Sequence, residues 1–298
     1  MTKSMHSFLV DMYEKYYIRI LIIPIIILLA SFVIVGNHYV QTGEFVSKGV
    51  SLKGGTTLTF SHSTASTEEL SQHLISQYPT IDISVRALTR TGDQAGIIVE
   101  ASDISADELL AAVELKTGKL DPATFTLDTT GPSLGESFFK QALIAVLAAF
   151  VLMSIVVYAY FREPLPSFYA IFSVFADALF SLAVFNLFGL KLTTAGVAAF
   201  LMLIGYSIDT DILLTTRVLK RSEGSVAERI VTALPTGLTM AIGALVSVII
   251  AYYGTHSELL KQISFILGWG LVADIIFTWL FNATLLQIYM KKKVHHGN

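Results

Sequence analysis

The 298-residue chain contains no cysteine, which excludes disulfides, thiol chemistry and any metal site built on thiolates. Charge is scarce too. Asp, Glu, Lys and Arg together make 14% of the residues, against about 25% in an ordinary soluble domain. A net charge of −3 and a pI near 6.2 leave no basic face for nucleic acid. No nucleophile–histidine–acid set falls on one side of a membrane, and no zinc-like spacing occurs, so neither a catalytic centre, a metal nor a cofactor is expected. Lys53-Gly54-Gly55-Thr56 matches no phosphate-loop spacing and reads as a tight turn opening a strand. What is abundant is apolar surface: 53% of the residues, with a mean hydropathy of +0.65. That argues against a water-soluble enzyme and for a membrane protein.

A hydrocarbon core of about 30 Å takes roughly 20 apolar residues as a helix. The first such run, residues 20–36, lacks a small-residue cleavage site and reads as an uncleaved anchor after a short N-terminal segment, 1–19. A mixed segment, 37–140, separates it from five further spans at about 142–161, 168–188, 194–216, 234–253 and 263–290, and residues 291–298 form a tail. Counting alternate connections puts Lys3, Lys15, Arg19, Arg162, Arg217, Lys220, Arg221, Arg229 and Lys291 to Lys293 on one side. The opposite short loops offer only Lys191 and Lys261. The positive-inside bias therefore places both termini in the cytoplasm and the long segment outside a cytoplasmic membrane. Residues 222–233 read as a short amphipathic helix on the cytoplasmic surface, Pro235 as a first-turn proline, and Trp279 as a membrane-interface residue. Gly237, Gly243, Gly268 and Gly270 read as close-packing positions.

Residues 45–135 alternate between strand and helix patterns. Thr56–Phe60 has strand alternation, and Ser66 with Glu69 suggests a capping box for a helix carrying Leu70, Leu74, Ile75 and Tyr78 on one face. Two strands, 81–89 and 96–101, flank the turn cluster Thr91-Gly92-Asp93. A second box, Ser105 with Glu108, opens a helix that Gly118 stops, and 124–128 gives a last strand. The order β-α-β-β-α-β predicts a ferredoxin-like α+β domain. The fold class expected is an α-helical polytopic membrane protein of six spans with one such extracytoplasmic domain.

The informative residues are aspartates within the spans. Asp177 lies about 16 Å into its helix, Asp209 about 12 Å from the cytoplasmic edge and Asp274 about 16 Å in, at 1.5 Å per residue. A charged aspartate at that depth costs about 2.5–3.5 kcal/mol on insertion scales. No span carries a lysine, arginine or histidine near its centre. Either these carboxyls are protonated for much of the time, or a partner chain supplies the counter-charge. Asp209 and Asp211 project about 200° apart and cannot face one partner. Asp211 shares a stripe with Ser207 and Thr215, and Asp209 stacks on Gly205, where a neighbouring backbone can approach. For Asp177 and Asp274, proton relay and a helix-to-helix hydrogen bond remain alternatives.

One span, an outer domain of about a hundred residues and five spans is a layout that resembles the SecF branch of the SecD/SecF protein-export family, in the resistance-nodulation-division superfamily. Leu52-Lys53-Gly54-Gly55-Thr56 resembles the family's Gly-Gly-Thr motif, and Gly131-Pro132-Ser133-Leu134-Gly135 the segment before its second span. Gly205-Tyr206-Ser207-Ile208-Asp209-Thr210-Asp211, with Arg217 beyond it, resembles the fourth-span signature, in a form closer to the archaeal branch. Bacterial members have Asn-Asp where this chain has Asp209-Thr210, and an arginine in the fifth span implicated in proton passage that this chain lacks.

The resemblance implies an accessory subunit of the Sec translocase, promoting preprotein export together with a SecD-like subunit and the SecY channel, and powered by the proton motive force. Ala142, Ala145 and Ala149 suit an interface with such a partner. The alternatives are a half-size exporter of lipid or small molecules from the same superfamily, or a scaffold of the translocon that does not pump.

Overall fold

The computed structural model describes residues 3–61, 66–90, 93–102, 104–221, 223–255 and 257–296. In chain order the elements are α1 (Lys3–Thr42), α2 (Val50–Lys53), β1 (Gly55–Ser61), α3 (Thr67–Gln77), β2 (Ile83–Arg90), β3 (Asp93–Ala101), α4 (Ala106–Thr117), β4 (Phe125–Thr130) and α5 (Pro132–Phe161). There follow α6 (Pro164–Leu187), α7 (Thr194–Lys220), α8 (Val226–Gly254), α9 (Glu258–Ile276), a π-helical turn (Phe277–Asn282) and α10 (Ala283–His296). Among the described residues, α1, α5, α6, α7, α8 and the α9–α10 run are long and apolar enough to cross a membrane.

The strands form one antiparallel sheet in the order β2-β3-β1-β4. Alternation along β1 turns Thr56, Leu58 and Phe60 inward, and Leu58 and Phe60 join Leu70 and Leu74 of α3 and Leu109 and Val113 of α4 in one core. Ser66 accepts the Glu69 amide at 3.1 Å to start α3, and Ser105 with Glu108 forms a reciprocal capping box on α4. Ile75 stands off the buried face of α3 and is exposed. Of the expected turn, Thr91 and Gly92 lie outside the described residues.

The domain is seated on the bundle through the segment after α1. Gly49 N–H donates to the Leu192 carbonyl at 2.8 Å, Leu192 N–H to Ser47 O at 2.7 Å, and Lys191 pairs with Asp82 at 2.7 Å. The two glycine-bearing motifs meet at the covalent joint: a Cβ on Gly135 of α5 would lie 2.5 Å from the Gly54 nitrogen. Thr56, beside that joint, is buried and donates to the Ile104 carbonyl at 3.2 Å.

In the bundle, half of the apolar stretch of α6, α7 and the last span is buried, against 6% in α5, which forms the outside. Small residues let the inner helices approach. Gly270 of α9 faces the Leu203 side chain of α7, and Gly237 of α8 faces the Trp279 ring. Gly268 has only ordinary contact with Val248, and Gly243 has no neighbour within 4 Å.

Three local expectations are corrected. The segment expected as a separate surface helix is the start of α8, because Ser225 and Glu228 cap it and Ala227, Ile230 and Val231 bury against the bundle; Ser222 lies outside the described residues. Pro235 therefore stands inside α8 rather than in its first turn, where it deprives the Val231 carbonyl of its helical donor. Trp279 is buried within the π turn instead of lying at an interface, since Gly237 makes room for it. The N-terminal half of α1 is tied in by the Tyr13 hydroxyl, which donates to the Trp279 carbonyl at 2.7 Å, and by Gln287, which donates to Tyr13 O at 2.9 Å.

At the end of the bundle away from the sheet, Glu163 in the α5–α6 connection accepts from Lys293 at 2.6 Å and from Tyr289 at 2.7 Å. These donors hold its carboxyl below the usual glutamate range. A carboxyl lowered by folding stabilises the fold above its unfolded value and loses that contribution as pH falls through the folded one. Glu163→Gln should therefore flatten the loss of thermal stability that the wild-type chain shows below about pH 4, as measured by melting in detergent at stepped pH. The effect is small, because the pair is partly exposed to solvent, which screens it.

Candidate functional site

Polar residues repeat every fourth position along the inner faces of two helices, which places them on one stripe. On α6 these are Ser173, Asp177 and Ser181; on α7 they are Ser207, Asp211 and Thr215, and all six are fully buried. The α9–π run presents Asp274, Thr278 and Asn282 at the same interval, likewise buried. Packing of α6, α7 and α9 brings the stripes together, with Asp177, Asp211 and Asp274 within electrostatic reach of one another.

The hydrogen bonds at this centre are specific. The Ser207 hydroxyl donates to Asp177 Oδ2. The Thr278 hydroxyl lies 3.0 Å from Asp211 Oδ1 and 3.0 Å from Asp274 Oδ1. The Asn282 amide donates to Asp211 Oδ1 at 2.7 Å. Thr210 adjoins the Asp274 carboxyl, and Ser173 adjoins that of Asp211. Each carboxyl has one oxygen so engaged and a second, Oδ1 of Asp177 and Oδ2 of Asp211 and Asp274, that is buried without a donor from the protein. Among the described residues no lysine, arginine or histidine forms an ion pair with any of the three. Nor, among the described residues, is there a group of three acidic or imidazole side chains that could hold a metal ion.

A buried, unpaired carboxylate is expensive in a low-dielectric medium unless it takes up a proton. Three of them share one polar stripe between helices, surrounded by hydroxyls. Such a group can accept, exchange and release protons, which is the chemistry this arrangement suits.

Asp209 is not part of this centre. It is exposed on the opposite side of α7, one turn beyond Gly205, whose Cβ position has no neighbour within 4 Å. The close approach expected over Gly205 is therefore not made by any described part of this chain. Arg217 stands half-buried near the end of α7, six residues past Asp211 and about 9 Å further along the axis. Sequence reasoning passed over Thr278 and Asn282. Their four- and eight-residue offsets from Asp274 were the available signal.

The family model described as "Protein export membrane protein SecD/SecF, C-terminal" matches residues 111–292. A protein named protein-export membrane protein SecF from Pyrococcus furiosus is 33% identical, over 98% of this chain and 96% of the relative. A protein of the same name from Thermococcus gammatolerans is 36% identical, over 95% of this chain and 88% of its own. Among solved structures, SecDF from Thermus thermophilus, titled a translocon-associated membrane protein, superposes with a TM-score of 0.74 at 16% identity and covers 93% of this chain. A second SecDF structure, in a super-membrane-facing form, gives 0.60 at 17% identity over 96% of this chain. The present chain spans 38% and 39% of the length of those two solved chains.

Proposed function

The chain belongs to the SecD/SecF family of protein-export membrane proteins, and from that premise we propose that it acts as a translocase subunit that couples proton passage through its bundle to preprotein movement on the far side of the cytoplasmic membrane. The observation that carries this reading is the buried Asp177–Asp211–Asp274 centre, which no lysine, arginine or histidine among the described residues pairs with. One charge crossing 100 mV releases about 2.3 kcal/mol, enough to bias a two-state domain more than tenfold.

The sheet order β2-β3-β1-β4 with α3 and α4 as crossovers supports a ferredoxin-like domain. The eleven-to-two bias of lysine and arginine supports placing it outside, with both termini inside. The joint of that domain with α5 then couples the two halves mechanically. No residue of this reading performs covalent catalysis. The interacting molecules are a SecD-like subunit, the SecY channel, preproteins in transit and the bilayer.

The SecD-like subunit belongs on the open face of α7. The solved SecDF chains are more than twice as long as this one, so a second membrane half is expected beside it. An exposed Asp209 in a membrane helix calls for a polar partner, and Gly205 leaves space for one. Gly205→Leu should leave the purified chain's elution and melting unchanged, yet abolish its co-purification with the SecD-like subunit and lower export. Undiminished co-purification would place the partner on another face. Recovery with lipid or small molecules and no translocon would favour a superfamily exporter instead.

A further inference from the structure

Thr278 stands 3.0 Å from a carboxyl oxygen on either side, Asp211 Oδ1 on α7 and Asp274 Oδ1 on its own helix run. A hydroxyl carries a single hydrogen and offers lone pairs on the remaining directions. It can donate to one of these oxygens only. If both carboxyls were ionised, the other would set a lone pair against a lone pair at hydrogen-bond distance in a buried site. The geometry is satisfied when one carboxyl donates into Thr278 while Thr278 donates to the other. Asn282 settles the direction, since its amide also donates to Asp211 Oδ1 at 2.7 Å. Asp211 Oδ1 thus receives two donors and is the ionised member, whereas Asp274 Oδ1 has Thr278 as its hydrogen-bond partner, with the Ser207 hydroxyl committed to Asp177 and that of Thr210 beside the same carboxyl, and carries the hydrogen.

We propose that Asp211 and Asp274 share one proton and that the Thr278 hydroxyl passes it between them. In the step, the Asp274 Oδ1–H bond breaks as that proton joins Thr278 Oγ1. The former Thr278 proton leaves for Asp211 Oδ1, and the hydroxyl is regenerated neutral. One proton moves, one carboxyl gains what the other loses, and no electrons change hands. The Asn282 carbonyl oxygen, now without a donor, becomes the acceptor for protonated Asp211 once the amide turns over.

The other titratable groups facing the pair are Asp177 from α6, engaged by Ser207, and Tyr206 from α7, beyond which the exposed Asp209 lies on the far side of that helix. None is a cation that would hold both carboxyls ionised. The π turn has a role in this. It begins three residues after Asp274 and contains both Thr278 and Asn282, and such turns relax the helical ladder where side chains serve a site. The inference rests on the proton-coupled reading above and gives that site its order of transfer.

The test uses the full-length chain, reconstituted with its partner subunit, and compares Thr278→Val, which keeps the volume, with Thr278→Ser, which keeps the hydroxyl. Two readouts are needed: the infrared carbonyl stretch of the protonated carboxyl in H2O and D2O, and export driven by an imposed proton gradient. Thr278→Ser should retain both. Thr278→Val should shift the band to that of an acid without a hydrogen-bond acceptor and cut gradient-driven export at least tenfold. Thr278→Ala must show the same loss, which guards against misfolding of the valine variant. An unshifted band and normal export in Thr278→Val and Thr278→Ala would overturn the relay, even if Asp211→Asn still abolished coupling. A shifted band in Thr278→Val, with wild-type export itself indifferent to the gradient, would uphold the shared proton and remove the transport reading.

Discussion

Asp211→Asn is expected to reduce gradient-driven export by one to two orders of magnitude while leaving the chain as stable as the wild type, or more so. The stability half follows from cost. A carboxylate near mid-membrane is penalised by about 2.5–3.5 kcal/mol on insertion scales, and asparagine by less. Asparagine keeps the shape and can still accept from Thr278 through its carbonyl. It cannot hold a titrating proton. The export half follows from the 2.3 kcal/mol that one charge gains per 100 mV, about fiftyfold at 1.36 kcal/mol per decade, all of which is lost if Asp211 is an obligatory stop.

Asp274→Asn should match it, since the two form one bonded unit through Thr278. Asp209→Asn should act differently, because Asp209 faces away from the centre: any loss should appear in subunit association before it appears in coupling. Melting temperature in detergent and export into vesicles at a fixed gradient measure the two halves separately. Full export in the Asp211→Asn, Asp274→Asn double variant would leave a scaffold that does not pump as the better account.

How much of this centre the residues announced can be followed position by position. The 100° step of a helix separates Asp209 from Asp211 without any coordinates, and it groups Asp211 with Ser207 and Thr215, all three buried together. That Asp177 and Asp274 converge on Asp211 could not be read, because a row of apolar spans does not say which helices pack together; the small residues that decide it, such as Gly270 against Leu203, mean nothing until the neighbour is known. Trp279 misled for a related reason. Tryptophan concentrates at membrane interfaces, but Gly237, more than forty residues earlier, opens a slot that buries it. In the α/β domain the serine caps at Ser66 and Ser105 and the strand alternation were legible because they are local, although only Ser105 with Glu108 closes the reciprocal box. The register β1↔β3 and β1↔β4 joins residues far apart in sequence and emerges only from the shared core of Leu58, Phe60, Ile97 and Val99.

The joint between domain and bundle should be the most sensitive place for a small change far from the aspartates. Gly54 has φ +91° and ψ 159°, a region open essentially to glycine alone, so a side chain there costs about 1–3 kcal/mol in backbone strain. A Cβ would also lie 2.5 Å from the Pro132 Cα and 2.8 Å from its nitrogen. These are backbone atoms at the start of α5 and cannot rotate away, which adds about 1–3 kcal/mol of overpacking. Gly54→Ala should therefore lose about 2–6 kcal/mol, and Gly135→Ala, which meets the same joint from α5 without the unusual φ, about half of that. Gly131→Ala is the internal control: its φ is −63° and nothing lies within 4 Å of its Cβ, so it should stay within about 0.5 kcal/mol of wild type. Thermal unfolding and limited proteolysis at the joint rank the three. Should Gly54→Ala melt with Gly131→Ala, the two glycine motifs do not clasp as described, and the sheet domain has no rigid lever through which the proposed proton movement could shift it.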